Sequence, residues 1–396
     1  VNILHIVASI DPASGGPIES VLRQDEACKA RGVSVTRELV TLDPPDSHHL
    51  QGFPLTVHAL GRPRTGSRLP WRRALEHYGY APNLVPWLRA NIGSYDTVIV
   101  DGLWNYAPFA ASRVLPDGKT PYFVFPHGMM DPWFRRTYPL KHLAKQAFWL
   151  FGEGRLLAGA RSAFFTCEEE RREARGQFFG HPYRETVISF GTSAPPLHTT
   201  GQDTAFRAAL PALDTRPYLL FLSRIHAKKG CDLLVEAFAR VAADHPSVDL
   251  VVAGPDQAGL RASLEALAAR RGVAARIHWA GPLYGNAKWG ALYGADAFIL
   301  PSHQENFGIA VAEALGCGTP VLISNKVNIW REIDTAGAGL VEPDTADGAE
   351  TLLRRWFATT QAEKATMREA ARSLFKDQFN VANTGPALIR TIEQFL

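Results

Sequence analysis

The sequence predicts an α/β chain of two doubly wound domains in tandem, and three observations carry that prediction. The chain has 396 residues, two to three times the length of a usual domain. Short apolar runs alternate with amphipathic stretches along all of it, the pattern of parallel sheets wrapped by helices. In the second half the apolar runs are nearly continuous in Val, Ile and Leu, as strands covered on both faces require.

Taken in order, strands are expected at Ile3 to Ala8, Val33 to Thr41, Thr97 to Val100, Tyr122 to Phe125, Ala163 to Thr166 and Thr186 to Ser189. A helix is expected over Pro17 to Ala30, with proline at a favourable first helical position. FGTSAPPLHTTGQ, after Ser189, is rich in small residues and proline and reads as a linker. Beyond it, YLLFLS from Tyr218, VDLVVAG from Val248, RIHWAG from Arg276, DAFILPS from Asp296 and PVLIS from Pro320 recur at spacings suited to one crossover helix each. Helical stretches at Ala346 to Thr359 and Ala362 to Lys376 lead into Val381 to Leu396. The expected domains are 1–197 and 198–378, with a terminal helix over 379–396 that packs on the second domain or crosses back to the first. Ligands of such folds bind outside the C-terminal strand ends, so a cleft between the domains is the expected site.

Composition excludes several classes. Hydrophobic residues at 46% and charged residues at 20% rule out disorder, collagen and coiled coil. With 42 basic and 39 acidic residues, the net charge of +3 is too balanced for a dedicated nucleic-acid binder, and no nucleic acid is expected as a partner. Cys28, Cys167, Cys231 and Cys317 lie far apart without a CxxC, which reads as reduced thiols of a cytoplasmic protein. No apolar run approaches the ~20 residues of a membrane span, and VNILHIVAS reads as a buried strand, not a signal peptide.

The densest chemistry lies in PSHQENFGIAVAEALGCGTPV, from Pro301 to Val321. Here a strand end runs into a helix expected to open near Phe307 or Gly308. Glu305 would lie in the loop and Glu313 one to two turns into the helix, a pair able to reach two parts of an elongated ligand. The N–H groups of Asn306, Phe307 and Gly308 would suit an anion. Two solvated glutamates are the plainer reading. LSRIHAKKG puts Arg224 and Lys229 after another strand, a cation pair suited to a diphosphate; a solvated basic turn is its alternative. In VVAGPD, Gly254 ends a strand where a backbone can approach a ligand closely.

The order LSRIHAKKG, VVAGPD, AGPLYG with Lys288, and ADAFILPSHQENFGIAVAEALGCGTPV resembles the retaining glycosyltransferases of the GT-B fold, family 4. ILHIVAS…GGPIESV, DGLWNYAPF and FPHGMMDPWFRR extend the resemblance over nearly the whole chain. It implies two Rossmann-like domains facing across a cleft, an N-terminal one on the acceptor side and a C-terminal one binding a nucleotide sugar. Glu313 would then accept from ribose hydroxyls and Glu305 face the donor sugar, while Arg224 and Lys229 hold the diphosphate. Asn306, Phe307 and Gly308 would offer backbone contacts, and Gly281, Pro282 and Leu283 would cradle the base. Gly15 and Gly16 would let a loop close over the phosphates, and His127 would touch the donor sugar. Asp101 and Trp104 are candidates for acceptor contact, although Asp101 stands where relatives often carry histidine and could equally be a capping carboxylate. SFGTSAPP departs from the family's usual Asn-Gly turn at the hinge.

No DxD occurs and no cluster has metal-ligand spacing, so no metal or other cofactor is expected. Side chains would answer the leaving group's charge. The resemblance implies retention; without a convincing carboxylate nucleophile, a front-face route is preferred. The expected acceptor is a saccharide, lipid-linked, in polysaccharide assembly. Residues 1–197 hold 22 basic against 18 acidic residues, and RPRTGSRLPWRR carries Arg62, Arg64, Arg68, Arg72 and Arg73 with Trp71, followed by Trp87. A second basic-aromatic stretch runs from Trp133 to Phe151 with Arg135, Arg136, Lys141 and Lys145. Both suit peripheral contact with an anionic membrane at its inner face; a solvated loop plus a core-packing helix is the alternative. Competing functions are a GT-B-fold sugar-nucleotide epimerase or hydrolase and a non-catalytic nucleotide-sugar-binding subunit. A dinucleotide oxidoreductase is disfavoured because no GxGxxG follows the first strand.

Overall fold

Two all-parallel sheets organise the chain in a computed structural model that describes every residue except 13–15, 64–65 and 67–68. In the first sheet β1 (Asn2–Ile6), β2 (Thr36–Thr41), β3 (Thr56–Ala59), β4 (Thr97–Asp101), β5 (Tyr122–Phe125), β6 (Ser162–Phe165) and β7 (Glu185–Val187) are ordered β3-β2-β1-β4-β5-β6-β7. In the second, β8 (Tyr218–Leu222), β9 (Asp249–Ala253), β10 (Ile277–Gly281), β11 (Ala297–Leu300), β12 (Val321–Ser324) and β13 (Gly339–Glu342) are ordered β10-β9-β8-β11-β12-β13. Each sheet reverses direction of growth once, beside β1 and beside β8. The crevice outside the strand ends at that reversal is where doubly wound sheets hold ligands.

The central strands form because their apolar runs are covered on both faces: all five residues of β4 and of β9 are buried. β3 and β13 escape the sequence reading because both are four-residue edge strands, TVHA and GLVE, without a continuous apolar run. Short, partly polar edges of this kind leave little for a second chain to pair with.

Contacts divide the chain into one unit of Val1–Gly191 with Val381–Leu396 and another of Thr192–Asn380. The stretch 192–197, expected to close the first domain, packs instead on the second unit. The Thr192 N–H donates to Phe379 O at 2.8 Å and the Tyr293 hydroxyl to Pro196 O at 2.8 Å. The expected linker is cut short by a helix, Thr200–Ala209, whose entry Thr199 and Gln202 close as a capping box. The terminal helix Val381–Glu393 belongs to the first unit. Its Leu388, Ile389 and Ile392 join Ile3, Cys28 and Phe123 in one buried cluster, beside the helix Gly16–Ala30.

Candidate functional site

In the second unit the loops after β8 and β11 are locked together by close backbone approach. Gly254, at the end of β9, has φ +137°, and a Cβ there would lie 1.8 Å from Ser223 O. Gly230 has φ +63°, and a Cβ there would meet Pro301 O at 2.1 Å. Only glycine fits either position. The His303 N–H then donates to Lys228 O at 2.7 Å.

This docking brings the two sequence motifs into contact. Lys229, 5% exposed, donates through Nζ to Glu305 Oε2. Glu305 is itself held by its backbone: its N–H donates to Lys326 O at 2.9 Å, and its carbonyl accepts from the Asn328 N–H at 3.0 Å. Arg224 is exposed and donates to Gln257 Oε1 at 3.2 Å. Burial, and then the charges of Lys228, Arg224 and Lys229, hold the His226 imidazole below its ordinary pKa. The three cations gathered here favour an anion at this strand end.

Glu313 is buried on the helix Ile309–Gly316, which is capped by Gly308 and opens one residue after it, Gly308 being the later of the two starts the sequence suggested. Its Oε1 accepts from Lys288 Nζ at 2.9 Å. Lys288 appeared in the sequence only as part of a motif; that it faces Glu313 from a separate helix, Gly285–Gly294, has no local signal. Asn306 Oδ1 accepts from Asn328 at 3.2 Å, and Phe307 turns its ring inward onto Phe379, with centroids 5.5 Å apart. Only the backbone of Phe307 can serve a ligand. Gly254, Gly281 and Pro282 share a cavity of about 110 Å³ with Arg261 and Trp279, whereas Leu283 is buried and not among its lining residues.

In the first unit Asp101 ends β4 and His127 follows β5 with φ +50°, an uncommon backbone for a non-glycine residue. Asp101 is engaged within the protein, as the capping alternative expected. It is buried, its Oδ1 accepts from His127 Nε2 at 3.0 Å, and its Oδ2 accepts from His5 Nδ1 at 2.9 Å. Burial alone would raise its pKa, but the hydrogen bonds and charges of His127 and His5 outweigh it and hold the carboxyl far below the usual range. With Nε2 engaged, His127 keeps Nδ1 for a ligand. His5 was missed; a histidine inside the apolar strand NILHI is the signal that could have found it. Trp104 is anchored, its Nε1 donating to Met129 O at 3.0 Å and its ring lying against Phe178 at 4.9 Å. Gly15, Arg64 and Arg68 lie outside the described residues, and Gly16 opens the helix Gly16–Ala30.

Trp87 departs from the expected basic-aromatic surface, for its ring packs on His58 at 4.7 Å and against the core. The stretch 133–151 serves two purposes. Trp149 is buried, while Leu140, Leu143 and Phe151 are 81%, 66% and 71% exposed. Among the described residues no helix is long and apolar enough to cross a membrane, and no group of three or more His, Cys, Asp or Glu could hold a metal ion.

Residues 15–191 match the family profile described as "Glycosyl transferase 4-like domain" and residues 202–374 that described as "Glycosyl transferases group 1". A D-inositol 3-phosphate glycosyltransferase of Geodermatophilus obscurus is 34% identical over 180 residues, 44% of this chain and 40% of that protein. The chain spans about half the length of the curated relatives it matches. Among solved structures, a sucrose-phosphate synthase from Thermosynechococcus elongatus superposes with a TM-score of 0.75 at 20% identity, covering 99% of this chain and 98% of that one. HepE of Anabaena, in complex with UDP and glucose, does so with a TM-score of 0.73 at 15% identity, covering 99% of each chain. These likenesses show the GT-B fold. With both halves matched by glycosyltransferase profiles and two parallel doubly wound sheets, the chain belongs to the group 1, family 4 glycosyltransferases.

Proposed function

We propose that this chain is a retaining hexosyltransferase that moves a hexosyl unit from a nucleotide-diphosphate sugar to a saccharide acceptor, lipid-linked, in polysaccharide assembly. The observation that carries the reading is the pairing of two cations with two carboxylates around the ends of β8 and β11: Lys229 with Glu305, and Lys288 with Glu313. A site of this kind is poised to exchange partners. An arriving diphosphate takes up Lys229 and exposed Arg224, and Glu305 turns its acceptor oxygens to sugar hydroxyls. Glu313, kept in place by Lys288, accepts from the ribose. The solved structure of HepE with UDP and glucose supports a nucleotide-sugar donor of this kind.

The leaving group's charge grows as the glycosidic bond breaks, and preorganised cations stabilise it most at that moment. Lys229 and Arg224 fill that role here, so no metal is invoked. For retention, the acceptor hydroxyl attacks from the face the diphosphate leaves. A donor phosphate oxygen takes its proton, and no side-chain nucleophile is needed. Asp101, with both oxygens engaged by histidines, suits the positioning of His127 and not a covalent step. Leu140, Leu143 and Phe151, exposed beside Lys141, support peripheral contact with an anionic membrane. The test is a panel of UDP-, GDP-, ADP- and dTDP-sugars with and without saccharide acceptors, followed by mass spectrometry. Transfer only with an acceptor supports the reading; isomerised or hydrolysed donor without one would make the chain an epimerase or hydrolase.

A further inference from the structure

Glu170 is a buried carboxylate that the chemistry above leaves unused. It stands in the first turn of the helix Glu168–Ala174, after β6, and is 3% exposed. Its two oxygens reach two different loops. Oε1 accepts from the Gly128 N–H at 2.6 Å, and Oε2 accepts from the Thr166 N–H at 2.7 Å and the Thr166 hydroxyl at 2.6 Å. An apolar side chain would fill this place without the cost of taking a charge out of water. What the carboxylate adds is direction, because it draws the donors of two strand-end loops to one point.

The Gly128 bond matters for what precedes it. Pro126 to Met129 form a turn, closed by the Met129 N–H donating to Pro126 O at 3.0 Å. Both central residues have positive φ, +50° at His127 and +72° at Gly128. Glycine adopts such a backbone freely, whereas histidine keeps it only where the surroundings over-determine it. A turn closed in this way leaves the N–H of its second central residue without a partner inside the turn. That N–H is the donor Glu170 accepts from. The other restraints are Asp101, which accepts from the His127 ring at 3.0 Å, and Trp104, whose Nε1 donates to Met129 O at 3.0 Å. Since β4, β5 and β6 are neighbours in the sheet, His127 is gripped through its ring from the β4 side and through its backbone from the β6 side.

Resting on the transferase reading above, in which His127 faces the donor sugar, we propose that Glu170 is a positioning residue for His127. By binding the Gly128 N–H it fixes the left-handed backbone that aims the free Nδ1 of the imidazole. It acts from behind the histidine and does not itself meet the substrate.

The test on the full chain is steady-state turnover with whichever of UDP-, GDP-, ADP- or dTDP-glucose the wild type consumes. Calorimetry with the matching nucleoside diphosphate and a thermal melt accompany it. Glu170→Gln keeps the shape but can offer its single carbonyl to one loop only. It should lower turnover about 10- to 100-fold, the scale of a misaimed group, and leave nucleoside diphosphate affinity unchanged. The decisive reading is the cycle with His127→Ala. In that background Glu170→Gln should slow turnover by no more than about two-fold further, since the side chain it aims is gone. Thr166→Val removes one donor to Oε2 and leaves the Gly128 contact, so it should lower Tm without lowering turnover. If Glu170→Gln is too unstable to assay, Glu170→Asp takes its place. That variant keeps the charge but is one methylene short of spanning both loops, and the same loss and the same coupling are expected.

Losses from His127→Ala and Glu170→Gln that multiply would overturn the proposal. A turnover in Thr166→Val that falls in step with its Tm would do so too, making Glu170 scaffold only. Wild-type turnover in His127→Ala would overturn it and leave the transferase reading in place. If the wild type consumes none of the four donors, the transferase reading fails and the proposal falls with it.

Discussion

The strand ends of the two units treat charge in opposite ways. After β8 and β11, buried Lys229 meets the partly exposed Glu305, Arg224 is exposed, and burial together with the neighbouring cations holds the His226 pKa below its ordinary value. After β4 and β5 the charge is buried, and Asp101 is saturated by two histidines. The first arrangement can trade its internal partners for a ligand's more readily, because Arg224 is exposed and Glu305 partly so, and ions that reach solvent are readily resolvated. The second cannot, since a buried carboxylate stripped of a partner keeps its desolvation cost. The second unit is therefore suited to exchange charge partners, and the buried triad of the first unit to hold a side chain in place.

Lys229→Ala should break that contrast most. Loss of a cation that meets the leaving diphosphate is expected to lower turnover about 10²- to 10³-fold. Glu305 is left half-exposed and can be hydrated, so Tm should fall only slightly. Steady-state rates beside a thermal melt check both halves, and unchanged turnover would remove the diphosphate clamp.

Asp101→Asn should do the reverse, costing about 3 kcal/mol of stability at pH 7 by breaking a buried, paired charge. The pH dependence follows from its lowered pKa. A carboxyl depressed in the folded state contributes stability above its unfolded pKa near 4 and loses it as pH falls through the folded value. Wild-type stability should thus decline as pH drops below about 5, and the asparagine variant should lack that part of the slope. Urea melts at pH 7 and pH 4 measure it; equal slopes would show that Asp101 is not held ionised.

A smaller effect is expected at the exposed apolar face. Leu140→Ser with Leu143→Ser should reduce sedimentation with phosphatidylglycerol vesicles several-fold and leave rates on soluble substrates unchanged. No loss of binding would return that face to plain solvent. The smallest effect should be none at all: transfer should persist in excess EDTA. A magnesium-reversible loss would show that the cations do not answer the diphosphate alone.

How much of this was legible beforehand depended on where the residues sit. Arg224, Lys229, Glu305 and Glu313 could be placed because they follow strands whose unbroken apolar runs announce themselves. β3 and β13 could not, for an edge strand buries too little to need an apolar run. The partnership of Lys288 with Glu313, and of His5 with Asp101, joins residues 25 and 96 positions apart, which only the folded sheet brings together. The choice between the two readings of Asp101 was open for the same reason. At a strand end an acid looks available to a ligand, and the histidine that occupies it lies on a neighbouring strand, β1. The terminal helix carried amphipathic periodicity that any apolar surface could satisfy, so its place beside Cys28 and Phe123 was open until the packing was seen.

The account stands or falls on the division of labour between the two glutamates. Calorimetry with UDP on Glu305→Gln and Glu313→Gln, beside steady-state rates with the full donor, tests it most directly. Glu313 is assigned to the ribose, so its loss should weaken UDP about ten-fold, the worth of one charged hydrogen bond. Glu305 is assigned to the sugar, and its loss also releases Lys229. UDP should therefore bind Glu305→Gln as tightly as wild type or tighter, while turnover falls, because the lost contact matters most at the transition state. Reversed effects would exchange the two roles. Equal, mild effects on both measurements would contradict the account, leaving a loop and a helix with two ordinary salt-bridged acids.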